Sequence, residues 1–190
     1  MRIVISLIFN SDCYKLLILF SLSPGSRFNR KEIKEKTRLN NVPLDKALRQ
    51  ILASGVAKRE KNYYSLNIAD KSAKELLEIC QYQYQQLREL PLTVFYLLTD
   101  LVDSLLFLKG DEVWLFGSYA KLVYKENSDV DIAVLYSQEI RKENINKIVA
   151  KLEKIYNKKI EIHYFEKTGF YKHKKDLLVK NILRDGVRLI

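Results

Sequence analysis

The stretch Val113-Trp114-Leu115-Phe116-Gly117-Ser118-Tyr119, followed by Ser128-Asp129-Val130-Asp131-Ile132-Ala133-Val134, decides how this chain is read. Its first half predicts a strand over Glu112–Phe116, a stop at Gly-Ser, and a short helix over Ser118–Tyr124. A strand that passes into a helix through glycine lets the backbone approach a phosphate closely. The helix N-terminus offers its first N–H groups and a favourable dipole to an anion, and Ser118 adds a hydroxyl donor. The second half predicts a strand over Asp129–Tyr136. Asp129 and Asp131 are two residues apart, so both carboxylates point to one face while Val130, Ile132 and Val134 point to the core. Two carboxylates on one face repel unless a divalent cation lies between them. Hard oxygen donors of this kind suit magnesium held together with substrate phosphates.

Further along, Lys159–Phe165 reads as a strand that carries Glu161 between Ile160 and Ile162. Laid beside the aspartate strand, it supplies a third carboxylate; Glu166 is the weaker candidate. His163 alternates onto the face of Glu161 and reads as a partly buried structural histidine. A helix over Glu139–Tyr156, a helix over about Tyr171–Arg184 and a last strand over Gly186–Ile190 complete an alternating α/β pattern. The run Lys172-His173-Lys174-Lys175 reads as a solvated helix face.

Gly117-Ser118, then the ten residues 119–128, then Asp129-Val130-Asp131 resembles the signature of the minimal nucleotidyltransferases, within the DNA polymerase β-like nucleotidyltransferase superfamily. The resemblance covers about residues 92–190. It implies that Gly117 and Ser118 hold a nucleoside triphosphate and that Asp129 and Asp131 bind two Mg²⁺ ions, with Mn²⁺ as the alternative. By the same resemblance Glu161 is the third metal and catalytic carboxylate, which helps to activate the attacking hydroxyl. The implied reaction is in-line attack of a hydroxyl on the α-phosphate of ATP or another NTP, with release of pyrophosphate. The chain departs from the family just after Gly-Ser, where arginines and a glycine are common. Here stand Tyr119, Ala120, Lys121 and Leu122, and Lys121 replaces an arginine as a point charge without the fork. The resemblance also implies an antitoxin role, in which AMP is moved onto a partner toxin of the HEPN type. That partner's Arg-x4–6-His motif is absent from this chain, so the partner is expected as a separate polypeptide. An RNA or small-molecule acceptor stays open. So does a DNA-binding regulator whose nucleotidyltransferase domain only binds nucleotide or partner.

Upstream, residues 11–22 predict an apolar helix that stops at Ser23-Pro24-Gly25. Asn29 with Glu32 three residues on forms a capping box, flanked by Phe28 and Ile33 at the staple positions. A short helix to about Thr37 follows, then a third starting near Pro43 with Leu44, Ala47, Leu48, Ile51 and Leu52 as its stripe. Val56–Leu66 reads as two short strands around a charged turn. Three small helices and a basic hairpin resemble a winged helix-turn-helix domain over about residues 8–68. Its expected DNA-facing residues are Lys46, Arg49 and Gln50 on the third helix and Lys58, Arg59 and Lys61 in the wing.

The expected organisation is therefore an α+β and α/β two-domain chain: a winged helix over 1–68, a linker helix over 69–91 and a nucleotidyltransferase domain over 92–190, with a mixed sheet and flanking helices. In the linker, Ala73, Leu77, Cys80, Tyr84 and Leu87 have the spacing of a short coiled-coil seam, which more often packs within its own chain than between chains; a homodimer contact through it is the alternative. Residues 92–109 predict a very apolar, buried helix; Asp100 and Asp103 argue against a membrane span.

The chain has 190 residues and a net charge of +10, which points to a polyanionic partner. The charge is uneven: residues 71–140 hold 6 basic and 11 acidic side chains, and residues 141–190 hold 14 and 6. The acidic middle is where metal ligands are to be sought. Cys13 and Cys80 form no C-x-x-C pair, which excludes a zinc site of that kind and fits a reducing cytoplasm. Asn10, Ser11, Asp12 and Lys15 break the apolar N-terminal run, so no secretory leader is expected.

Overall fold

The computed structural model of the chain describes residues 10–85, 90–108 and 110–190. They divide into two compact units, one ending at Tyr96 and one beginning at Leu97.

The first unit contains α1 (Ser11–Leu22), β1 (Phe28–Asn29), α2 (Arg30–Thr37), α3 (Asn41–Ala53), β2 (Ala57–Glu60), β3 (Tyr63–Leu66) and α4 (Lys71–Gln85). Helix α1 is buried from Cys13 to Ser21, Lys15 included, as the apolar run Leu16–Phe20 requires, and Asn10 caps it. The capping box at Asn29 and Glu32 forms in both directions. Helix α3 starts at Asn41, two residues before Pro43. Pro43 thus sits inside the first turn, where a missing N–H has no intrahelical partner to lose. Strand β1 was not expected: it is two residues long and its sequence is also a capping segment. It pairs antiparallel with β3, Phe28 opposite Tyr64, and gives a sheet in the order β1-β3-β2. In α4, Ala73 and Cys80 are buried and Leu77 is half-buried. The helix packs on α1, and Gln81 Nε2 donates to the Ser21 carbonyl at 3.2 Å. The described part of the seam therefore faces its own unit. The Tyr84 side chain and Leu87 lie outside the described residues.

Helix α5 (Leu92–Ser104) begins in the first unit and runs into the second. It stops well short of residue 109, because the chain tightens into turns, Leu105 N to Val102 O and Leu108 N to Leu105 O. Then come β4 (Glu112–Phe116), α6 (Gly117–Ala120), β5 (Val130–Tyr136), α7 (Lys142–Tyr156), β6 (Ile160–Glu166), α8 (Lys167–Lys172), α9 (Leu177–Asp185) and β7 (Val187–Arg188). The sheet order is β6-β5-β4-β7. Only β5 and β6 are parallel, and α7 connects them as a crossover must. Helix α7 buries Ile145, Val149, Leu152 and Tyr156, one stripe at steps of four and three.

Asp131, Ala133 and Leu135 share one face of β5. Ala133 and Leu135 pack with Phe116 of β4 and with Phe170, Val179 and Ile182 of α8 and α9, so the core stops where Asp131 begins. The single C-terminal helix expected over Tyr171–Arg184 is two helices. Glu166 caps α8 through Thr168 and Gly169 N–H, and Asp176 caps α9 through Leu178 and Val179 N–H. The first helix ends at Lys172 with His173 as its C-cap, and the new cap at Asp176 starts the next. Likewise α6 stops at Ala120 and not at Tyr124. Leu122 takes a left-handed φ of 60° and turns the chain, and Tyr119 stacks on Tyr124 at 4.6 Å to close the loop. Among the described residues, no helix is long and apolar enough to cross a membrane.

Candidate active site

Three strands bring the expected residues to one end of the second sheet. Asp131, near the start of β5, lies in register with Phe116, the last residue of β4, and with Glu161 of β6. The chain leaves Phe116 directly into Gly117 and Ser118, so the Gly-Ser turn folds over Asp131. A Cβ built on Gly117 would lie 1.9 Å from Asp131 Oδ2 and 2.7 Å from its carboxyl carbon, and the Gly117 φ is +70°. Position 117 thus needs glycine twice, for its backbone angle and for the space the carboxylate occupies. The Ser118 backbone N–H donates to Asp131.

The electrostatics of Asp131 set it apart. Burial and then the charge of Glu161 push its carboxyl above the ordinary range, with Asp129 adding to the rise; His163 and the Ser118 N–H only partly offset this. Its two acidic neighbours each have a partner. Asp129 Oδ2 lies 3.0 Å from Lys159 Nζ, and Glu161 Oε1 lies 3.1 Å from His163 Nε2. The hydrogen bond to Asp129 in turn raises Lys159. His163 stands edge-on to Phe116, with ring centroids 5.3 Å apart. Lys121 is turned toward α9: its Nζ lies 3.2 Å from Asp185 Oδ2. Asp185 is also gripped by Arg184, which holds its carboxyl well below the usual carboxylate range, with help from Lys121.

The donor set fits a hard divalent cation by its chemistry. It consists of carboxylate oxygens, and the like-charge repulsion that raises Asp131 is what a cation would relieve. The side chains do not converge on one point, however: among the described residues, no three His, Cys, Asp or Glu groups form a metal-holding cluster. The side-chain contacts give the reason, since Asp129 is turned to Lys159 and Glu161 to His163.

The structure thus gathers Gly117, Ser118, Asp131 and Glu161, sets Asp129 at the rim, and directs Lys121 away to Asp185. Sequence reasoning missed Lys159 and Asp185 and treated His163 as structural. Lys159 and Asp185 are joined to their partners across 30 and 64 positions of chain, so no local spacing signals them. His163 was already placed on the face of Glu161 by alternation; the parallel register brought that face to the aspartates.

In the first unit the six expected DNA-facing side chains are exposed. Several of them have partners within the unit. Lys58 pairs with Glu60 at 3.0 Å, and Arg59 lies over the Tyr64 ring and donates to the Lys61 carbonyl. Arg49 Nε bonds the Asp45 carbonyl, and Gln50 Oε1 accepts from the Cys13 thiol at 3.1 Å. Lys46 acts electrostatically on the same thiol.

Residues 109–190 match the family model described as polymerase beta, nucleotidyltransferase. The matched segment holds the whole constellation above, from the Gly-Ser turn through Glu161. No curated protein and no solved structure matches the chain. The C-terminal unit is thus similar to nucleotidyltransferase domains, and nucleotidyl transfer is the general activity this similarity supports.

Proposed function

We propose that the C-terminal unit is a Mg²⁺-dependent nucleotidyltransferase that moves AMP from ATP, or the nucleotidyl group of another NTP, to a hydroxyl acceptor in the cytoplasm. One observation carries the reading: the Gly117 backbone lies so close to the Asp131 carboxylate that no side chain fits, with Glu161 in register alongside. Asp131, Asp129 and Glu161 are the residues that would hold the metal. Bound there, Mg²⁺ supplies charge neutralisation for the phosphoryl oxygens and the leaving pyrophosphate. The Ser118 hydroxyl donates to a phosphate. Lys159 and Lys121, parted from Asp129 and Asp185, neutralise the rest of the triphosphate as point charges. Glu161, parted from His163, accepts the proton of the attacking hydroxyl. The acceptor in this reading is a hydroxyl on a separate partner protein of the HEPN type, which makes the chain an antitoxin.

The test is label transfer. Purified protein is incubated with α-labelled ATP, Mg²⁺ and lysate of its own source, beside the Asp129→Ala/Asp131→Ala variant. A labelled protein band is expected, and the double variant should lose at least about a thousandfold of it. A labelled RNA band would replace the acceptor. No label with any NTP would overturn the transferase reading.

A second reading is favoured by the first unit. Its order α1-β1-α2-α3-β2-β3, with a three-stranded antiparallel sheet, is the order of a winged helix-turn-helix. In this reading the chain is a DNA-binding regulator and its C-terminal unit binds nucleotide without turnover. The Asp129→Ala/Asp131→Ala variant would then keep its DNA binding and repression.

A further inference from the structure

We propose that the outer edge of β6 binds an extended, acidic segment of a partner protein by strand addition. Among the described residues β6 is an outer strand, paired on one side only, with β5. An outer strand offers a row of main-chain donors and acceptors, and proteins usually blunt it with lysine, proline or a bulge. Here the register runs unbroken from Val130 opposite Ile160 to Tyr136 opposite Glu166, so there is no bulge. The last three residues, Tyr164-Phe165-Glu166, contain no lysine and no proline.

A cavity of about 740 Å³ lies against this end of the strand. It is lined by all three of those consecutive residues, and beyond them by Phe170, Val179 and the loop 173–176. Consecutive strand side chains point to opposite faces, so a cavity that touches all three wraps the edge of the sheet and not one face of it. Its floor is apolar and its rim carries Lys172, Lys174 and Lys175. Two carboxylates also line it, and both are used as helix caps: Glu166 for α8 and Asp176 for α9. Lys174 and Lys175 are in no ion pair among the described residues. The rim is therefore positive.

The floor favours a polypeptide over a nucleic-acid strand. A base needs an open ring face to stack on. Phe165 lies parallel to His163 at 6.5 Å and meets Phe170 edge-on at 5.1 Å. Phe170 is buried. The Tyr164 ring carries Lys142 over its face, with its hydroxyl bonded to Asn146. The rings are already engaged, whereas the outer main-chain groups of β6 are what a strand pairs with. Alternate side chains of an added strand would then fill the apolar floor and reach the lysine rim. A partner with alternating apolar and acidic residues fits both.

The probe is a short fluorescein-labelled peptide of alternating glutamate and valine, titrated into the full chain by anisotropy. Saturable binding in the micromolar range is expected, with slowed amide exchange along residues 160–166. N-methylation of alternate peptide bonds along one edge of the probe should weaken binding by about tenfold or more, since strand addition needs those donors. Lys174→Glu/Lys175→Glu, both changes exposed, should weaken it by a similar factor. The Asp129→Ala/Asp131→Ala variant should bind the peptide as the wild type does, which separates this proposal from the transferase reading. Absence of binding, or binding indifferent to N-methylation, overturns strand addition. Displacement of the peptide by oligouridylate, with the same dependence on Lys174 and Lys175, would reassign the groove to nucleic acid.

Discussion

Two carboxylates at opposite ends of the C-terminal sheet have opposite fates. Glu112 opens β4, and its side chain is 5% exposed. It is surrounded by donors: Trp114 Nε1 at 3.0 Å, Tyr171 OH at 2.8 Å, Lys167 Nζ at 3.0 Å and Arg188 at 3.5 Å. Burial works to raise its carboxyl, but the bonds from Tyr171, Lys167 and Trp114 outweigh burial and hold it below the ordinary range. Tyr171 is pushed up to about 12, by burial first and then by its bond to Glu112. Asp131, near the start of the antiparallel neighbour β5, has one N–H and two acidic neighbours, and its carboxyl is raised. The first group ties β4, α8 and β7 together. The second carries charge that the fold offsets only in part.

This contrast can be broken from either end. Removing the satisfied carboxylate should have the largest effect on stability. Glu112→Ala strands the Trp114 and Tyr171 donors and two cations, and should cost about 2–3 kcal/mol. The melting transition of the C-terminal unit should fall by roughly 10–20 °C in calorimetry. Gly117→Ala comes next. The strained φ and the collision with Asp131 should cost about 1–2 kcal/mol. Because the rotation of Asp131 is what relieves the collision, label transfer should fall by more than the stability loss explains, about a hundredfold.

Acid separates the two carboxylates by the sign of their effect on stability. A lowered carboxyl contributes stability that is fully present above the ordinary glutamate value of about 4.3 and is lost as pH falls through its folded value. Chemical unfolding followed from pH 7 downward should therefore show the C-terminal unit weakening below that point, and Glu112→Gln should flatten the curve. Asp131 has the opposite sign. Its raised carboxyl makes ionisation unfavourable to the fold, so the cost appears as pH rises through the raised value. The smallest effect follows. Asp131→Asn keeps an acceptor for the Ser118 N–H and removes the charge, and should raise the melting temperature by about 1–3 °C at pH 7. That gain should vanish in acid, while transfer is abolished at every pH.

The legibility of this chain followed the range of the interactions involved. The capping box at Asn29, the stripe of α3 and the strand–Gly-Ser–helix turn were all readable, because each is a pattern within a few residues. Two-residue β1 was not, since its pairing with Tyr63 and Tyr64 lies far along the chain. The split between α8 and α9 was missed for a local reason: Asp176 sits in a lysine-rich run that reads equally well as a continuous helix face. In the site, Gly117, Ser118, Asp129, Asp131 and Glu161 were named from spacing and alternation. Lys159, Asp185 and the contact of His163 with Glu161 came only with the packed strands.

What the sequence alone determined is which side chains share a face and where the backbone turns. Periods of two and of about four, and a glycine where a positive φ is required, are local properties of the chain. Tertiary structure decided which faces meet. The parallel pairing of β5 with β6 set Glu161 beside Asp131, and the close turn at Gly117 placed a backbone against that carboxylate. The same packing spent Glu112, Glu166 and Asp176 on donors and left Asp131 raised. The physical reason is that a carboxylate's role depends on its distance to donors and like charges, and those distances are set between residues that the chain itself keeps far apart.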